Sequence, residues 1–239
     1  MTSTVYFNGR LDGLGNRIEQ LIHMEAYCVK HGVKGVYYWR QRAACQDRKY
    51  PILVACENVT IEDEANSRPN TVEIDVSKNE WSKQAFQEAA KRIRFVNPLE
   101  SQDPYIAVHI RSTDKLYNRG KDEFSFDFFR EKFNRTVAML NTIQTKVKIT
   151  ITSDDPRYKK LLIDNLNAQF EIVEPFKNEI PHDVYRDFFA LVHATQIIMV
   201  PKFSSFSACA SLIGGNTLLS HCDEHDTNLY RYKCNVLRC

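Results

Sequence analysis

The sequence predicts an α/β protein: a mainly parallel sheet in its second half, preceded by a smaller α/β unit. Two observations carry that prediction. From about residue 105, β-rich runs at 105 to 110, 146 to 152, 170 to 174, 197 to 200 and 217 to 221 alternate with amphipathic segments of helical length at 125 to 141, 157 to 167, 183 to 195 and 205 to 213. Each helix-length crossover returns the chain parallel to the preceding strand. The helices themselves rest on spacing, as in "DVYRDFFALVHA", where Val184, Phe188, Leu191 and Val192 recur at the 3.6-residue period.

The first hundred residues read as "TVYFN" (strand), 16 to 31 (helix), "KGVYYW" (strand) and 78 to 94 (helix), with polar "ENVTIEDEANSRPN" as a loop or edge excursion. "NPLESQDP", residues 97 to 104, carries two prolines among polar residues and reads as a linker, giving units 1–100 and 101–239. The residues after 221 read as a polar tail.

Composition narrows the function. A chain of 239 residues with 43% hydrophobic content builds real cores. Lys plus Arg number 32 against 30 for Asp plus Glu, a formal charge of +2, and no block of like charge stands out, so nucleic acid is not an expected partner. No apolar run reaches membrane-spanning length and the first residues do not form a signal, so no membrane segment is expected. Seven scattered cysteines resemble reduced thiols of a cytoplasmic protein more than a disulfide framework. The sequons at Asn58 and Asn134 are short enough to arise by chance.

Four stretches carry chemistry. In "YIAVHIRSTDKL" an apolar strand ends in His109, Arg111, Asp114 and Lys115. A guanidinium at the carboxyl end of a parallel strand stands where ligands collect, and its planar donor fork suits phosphate oxygens; an Arg111–Asp114 ion pair closing the loop is the competing reading. In "KVKITITSDDP" a strand runs into Asp154 and Asp155, followed by Pro156 at a helix start. An aspartate there can simply cap the helix, the more common role, or accept two hydrogen bonds from guanine, and the adjacent pair allows one aspartate for each duty.

In "QIIMVPKFSSFSACASLIGG", Ser204, Ser205, Phe206 and Ser207 open a small-residue helix, where hydroxyls and N–H groups make an anion site; a lone serine cap explains one of these serines but not the cluster. In "NGRLDGLGNRIEQL", Gly13 and Gly15 stand between a strand and a helix, a place for close backbone approach to a ligand. A dinucleotide fingerprint is not completed there, because Ile18 occupies the third glycine position and Arg40 stands where an acid should end the second strand. P-loop, serine-hydrolase elbow and D-x-D motifs are missing from the sequence, and the spacing of His221, Cys222, His225, Cys234 and Cys239 matches no zinc pattern.

Taken in order, these stretches resemble the GDP-fucose fucosyltransferase superfamily of α1,6-fucosyltransferases, nodulation fucosyltransferases and protein O-fucosyltransferases. "HIRSTDK" is similar to its H-[VL]-R-R-T-D-K segment, "TSDDP" to T-D-D-P, "FSSFSACA" to F-S-S-x-x-x-x-A, and "GLGNR" to its amino-terminal glycine loop. The resemblance is dense in short blocks, mostly in the carboxyl half.

It implies a GT-B-like α/β fold, two Rossmann-like domains facing across a cleft, with residues 1–100 on the acceptor side and 101–239 binding a nucleotide sugar. It implies an inverting, metal-independent transfer of L-fucose from GDP-fucose to a glycan acceptor, with no cofactor beyond the donor. Arg111, Asp114, Lys115 and Asn16 would be catalytic. His109, Arg111, Asp154, Asp155, Ser204, Ser205, Phe206, Gly13, Gly15 and Arg17 would bind the donor.

Two departures bear on this. Ser112 stands in place of the second of the family's paired arginines, and no general base is assigned, with Asp114, Asp122 and Glu123 as candidates. Transfer of another sugar, such as rhamnose or xylose, and a catalytically inactive nucleotide- or carbohydrate-binding module are the alternatives.

Overall fold

A computed structural model of the chain describes residues 3–40, 50–63, 72–75, 78, 80–112, 125–201, 204–221 and 232–238. The amino-terminal part holds a three-stranded parallel sheet of β1 (Thr4–Asn8), β2 (Lys34–Trp39) and β4 (Val59–Asp63), with β2 central. Helix α1 (Leu14–His31) connects β1 to β2, and Gly32 ends it in the left-handed conformation (φ 61°) that glycine adopts without steric cost. A short antiparallel ribbon of β3 (Val54–Ala55) and β5 (Arg94–Phe95) flanks helix α2 (Lys83–Ala90).

The polar stretch expected as a loop or an edge excursion contains the edge strand β4, because Val59 and Ile61 supply the alternation of a short strand against β2. Two other expectations change here. The helix expected over 78–94 shortens to α2, whose start is fixed where Ala85 N–H donates to the Ser82 hydroxyl at 3.1 Å. The tail carries a strand, β11 (Asn235–Arg238), paired in parallel with its neighbour β10.

The carboxyl-terminal part is a six-stranded sheet in which each neighbouring pair is parallel. Its strands are β6 (Ile106–Ile110), β7 (Val147–Ser153), β8 (Phe170–Ile172), β9 (Gln196–Val200), β10 (Thr217–Ser220) and β11, in the order β11-β10-β9-β6-β7-β8. Its helices are α3 (Phe126–Asn141), α4 (Pro156–Asn165), α5 (Asp183–Val192) and α6 (Ser205–Gly214).

Alternate strand residues feed two cores. Val108, Ile110, Ile198 and Val200 pack with Phe129, Phe133, Leu140 and Leu162 of α3 and α4. Ala107, Ile197, Met199 and Leu218 join a larger core with α5, α6 and the amino-terminal part. Both sheet faces are therefore covered, which is why these strands read as almost continuous apolar runs.

Helix α1 is buried on most of its surface, touching β2, β4, α2 and α6. Its buried charges are held individually. Glu25, 0% exposed, accepts from the Asn58 backbone N–H (2.9 Å) and side-chain amide (2.7 Å), and Arg92 lies 3.9 Å away. That bond occupies the amide of one sequon, and the other lies inside α3 with Thr136 buried.

Cys28, Cys56, Cys209 and Cys234 are free thiols, and among the described residues no helix is long and apolar enough to cross a membrane. Glu25→Ala would take the shared carboxylate from the Asn58 donors and from Arg92, so we expect a loss of about 2 to 3 kcal/mol in urea unfolding. A loss below about 0.5 kcal/mol would show that water replaces the carboxylate.

Candidate active site at the switch between strands β6 and β9

The chain leaves β6 toward β7 and β8 and then crosses back to place β9 on the other side of β6. The helices after these two strands go to opposite faces, α3 to one core and α6 to the other. Such a reversal opens a crevice at the carboxyl edge of the sheet, where α/β proteins of this order bind nucleotides. Two of the four stretches singled out in the sequence run along these strands and end at this crevice, and residues of the other two reach it.

Arg111 continues the β6–β9 ladder one step, its N–H donating to Val200 O at 2.8 Å, and its side chain is 27% exposed. Asp114, Lys115, Asp122 and Glu123, and with them the Arg111–Asp114 pair, lie outside the described residues. Among the described residues Asp154 faces the guanidinium, its Oδ2 3.6 Å from Arg111 Nη1. Asp154 Oδ1 accepts from Ser112 N–H (2.8 Å) and Ser112 Oγ–H (2.9 Å). Asp155 is the cap of α4: its Oδ1 accepts from Arg157 N–H at 2.9 Å, and its Oδ2 lies 2.6 Å from Arg157 Nη2.

Across the crevice, Ser204 caps α6 with extended backbone and no side-chain cap bond, so the first-turn N–H groups of α6 present a partial positive charge. Ser204 is buried and Ser205 half-buried. Ser207 is spent elsewhere, in a short hydrogen bond to His109 Nδ1, while Phe206 packs its ring between His109 (5.3 Å) and Phe188 (5.1 Å). Phe206, expected at the donor, is half-buried and makes both of these ring contacts. His109 is buried, and burial first, then the neighbouring Arg111, pushes its pKa down to about 4. The imidazole is neutral at physiological pH.

The glycine loop meets this crevice from the amino-terminal part. A Cβ on Gly15 would stand 2.6 Å from Phe206 N, 2.8 Å from its Cα and 2.9 Å from Ser205 Oγ, so the amino termini of α1 and α6 abut at a glycine. Gly13 caps α1 with nothing within 4 Å of the place a Cβ would take, and Asn16 is half-buried on the first turn. Arg17 does not reach the crevice as expected. It is 0% exposed, donates to the carbonyls of Asp12 (2.7 Å) and Arg40, and lies about 5 Å from the ring centroids of Trp39 (5.1 Å) and Tyr50 (5.0 Å). Its guanidinium satisfies buried carbonyls of the amino-terminal unit.

Sequence reasoning named Ser112 and Ser207 without their partners, and passed over Asp187. Ser112 and Ser207 are plain serines whose importance lies in partners 42 and 98 positions away. Asp187 had a readable signal: it falls three residues after Val184 and four before Leu191, on the apolar face of α5. Burial raises its pKa to about 6 against the lowering influence of Lys159 and Arg186.

Among the described residues no group of three or more His, Cys, Asp or Glu is placed to hold a metal ion. A cavity of about 120 Å³ lined by Gln102, Asp103, Tyr105 and Lys148 lies at the opposite end of β6 from Arg111 and contains none of the residues above.

A scan of protein-family models and a search of curated proteins each find no match. Solved structures do match. The fold is similar to that of NodZ α-1,6-fucosyltransferase soaked with GDP-fucose, at 13% identity and TM-score 0.53, over 89% of this chain and 93% of that one. It is likewise similar to fucosyltransferase NodZ from Bradyrhizobium (13% identity, TM-score 0.55, 88% and 93% covered) and to the NodZ enzyme co-crystallised with GDP (13%, 0.53, 88% and 92%). At this identity the likeness is one of fold.

Two measurements check the geometry. Gly15→Ala pushes a methyl group into the Phe206 backbone, and we expect it to destabilise the chain by about 1 to 3 kcal/mol in denaturant unfolding. Because His109 has a folded-state pKa below its unfolded value, its neutral form supports stability fully above about pH 6.5, and that support is lost as pH falls toward about 4. His109→Asn should flatten the fall of the unfolding midpoint across that window; an unchanged slope would place the titration on another group.

Proposed function

We propose that this chain is a fucosyltransferase-like glycosyltransferase, inverting and metal-independent, that moves L-fucose from GDP-fucose to a glycan hydroxyl. Residues 1–100 and 101–239 would act as the two Rossmann-like units of a GT-B arrangement, with the acceptor on the first and the nucleotide sugar on the second. One observation carries the reading. Arg111 and the open amino terminus of α6 flank the switch crevice of a fold similar to that of an α-1,6-fucosyltransferase that has been soaked with GDP-fucose.

The chemistry then follows from charge. The acceptor hydroxyl attacks the anomeric carbon of the β-linked fucose from the face opposite the diphosphate. The bond from that carbon to the phosphate oxygen breaks, GDP leaves with the electron pair, the hydroxyl proton passes to a base, and the new linkage is α. Negative charge grows on the departing diphosphate, so a prepositioned guanidinium and helix N–H groups favour the transition state over the ground state. Ser204 and Ser205 would add hydroxyl donors, and Gly13 and Asn16 would approach the sugar from α1. His109, being neutral, would leave the net positive charge to Arg111 and the helix terminus.

We expect GDP to raise the unfolding midpoint and UDP to do so less. We also expect Arg111→Ala to cut transfer by about a hundredfold to a thousandfold while the protein stays folded. Failure of GDP to bind the wild-type chain would refute the assignment, and stabilisation by UDP but not GDP would replace the donor.

A further inference from the structure

We infer that Ser112 and Asp154 form a buttress that aims Arg111 at the diphosphate, so that Asp154 is a positioning residue for the phosphate grip and does not read the nucleobase. This rests on the glycosyltransferase reading above and specifies how its central cation is held.

The hydrogen bonds decide between the two roles. An ionised carboxylate offers about four lone-pair sites, and reading guanine side-on requires both of its oxygens to face the N1 and N2 groups of the base. Asp154 Oδ1 already receives two donors from one residue, the Ser112 N–H at 2.8 Å and the Ser112 hydroxyl at 2.9 Å. Two donors from one residue hold that end of the carboxylate in place. Its second oxygen is then directed toward Arg111 Nη1 at 3.6 Å, an ion-pair separation longer than a direct hydrogen bond. Since the guanidinium is planar and rigid, holding one nitrogen by charge sets the direction of the whole fork.

The neighbouring residues reinforce the assignment. Arg111 N–H is tied to Val200 O, so the backbone at 111 is fixed by the ladder, and Asp154 faces its side chain. Asp155 does not compete for that guanidinium, because it caps α4 and pairs with Arg157. Ser112 is 0% exposed, a position that suits a small hydroxyl. Where the resembling motif has a second arginine, this chain has two donors for a carboxylate. It gives up one cation and orients the one it keeps.

A carboxylate beside a phosphate-binding arginine also repels the phosphate, so the sign of the effect is a real test. The experiment compares Asp154→Asn and Ser112→Ala with wild type by titration calorimetry against GDP, GMP and UDP, after unfolding midpoints establish that each variant folds. For Asp154→Asn we expect GDP and UDP to weaken together by about tenfold or more, their ratio staying within about twofold, and the advantage of GDP over GMP to shrink. Ser112→Ala keeps the N–H bond and should shift the same ratios in the same direction by less. The double variant should fall short of the sum of the two in free energy, as expected for residues acting through one another.

If Asp154→Asn does not fold, Ser112→Ala carries the comparison. Collapse of the GDP-over-UDP preference in either variant would make Asp154 a base reader and overturn the inference while leaving the glycosyltransferase reading intact. Unchanged or tighter GDP binding would overturn it as well, showing that the carboxylate merely competes for Arg111. A wild-type chain that binds none of the three nucleotides would remove the reading on which it rests, and the inference with it.

Discussion

A methyl group at position 15 would sit 2.6 Å from the Phe206 backbone nitrogen, so α1 and α6 approach at their amino termini to a distance that leaves no room for a Cβ. Much of the architecture hangs from that approach. It brings the glycine loop of the amino-terminal part to the rim where β6 and β9 diverge. It also lets the large core run unbroken from Phe7 and Ile22 through Ala208 and Leu212 to Met199. Cys209 Sγ lies 3.5 Å from the Gly15 carbonyl, a second link between the same two helices. The crevice is thus assembled from both parts of the chain by backbone contact, and its geometry is that of packed secondary structure.

The distribution of charge around this rim is selective. Arg17 lies in the same loop-to-helix stretch, yet its guanidinium goes inward to two carbonyls between aromatic rings, and burial lowers its pKa. His109 is stripped of charge by burial and tied to Ser207. Asp155 is neutralised by a helix start and Arg157. Among the described groups at the rim, Arg111 and the α6 terminus supply the positive field, moderated by Asp154. On the proposed reading that field acts at short range on one leaving group, in keeping with a net formal charge of only +2 over the whole chain.

What the sequence disclosed and what it withheld follow from the range of the interactions involved. Period and strand alternation are local, and so the four strand–helix repeats after residue 105 and the strand that follows them were legible almost to their ends, as were the cap role open to one aspartate and the serine-rich start of α6. β11 and β4 were hidden because each is a short strand whose apolar residues gain meaning only from a neighbour, β10 and β2 respectively. Arg17 misled because a motif gives a residue's position along the chain but not the direction of its side chain. Trp39 and Tyr50, the rings that enclose it, are 22 and 33 residues further on. The partnership of Ser112 with Asp154 was closed to sequence reasoning for the same reason: it spans two strands.

On the proposed reading, the serine at position 112, where the resembling motif has an arginine, changes what the site must rely on. With one guanidinium where the resembling motif has two, stabilisation of a leaving diphosphate depends less on the amount of charge and more on how little that charge must move when the reaction occurs. Three anchors oppose such movement: the Arg111 N–H to Val200, the hydrogen bond shared by Ser207 and His109, and the Ser112 donors to Asp154. Each joins a segment at the rim to the end of a strand or to the strand beside it, and each is buried or half-buried, where hydrogen bonds are strongest and least exchanged with water. A site with fewer charges is compatible with the proposed chemistry when the remaining ones are held this firmly, and these anchors are where that firmness originates.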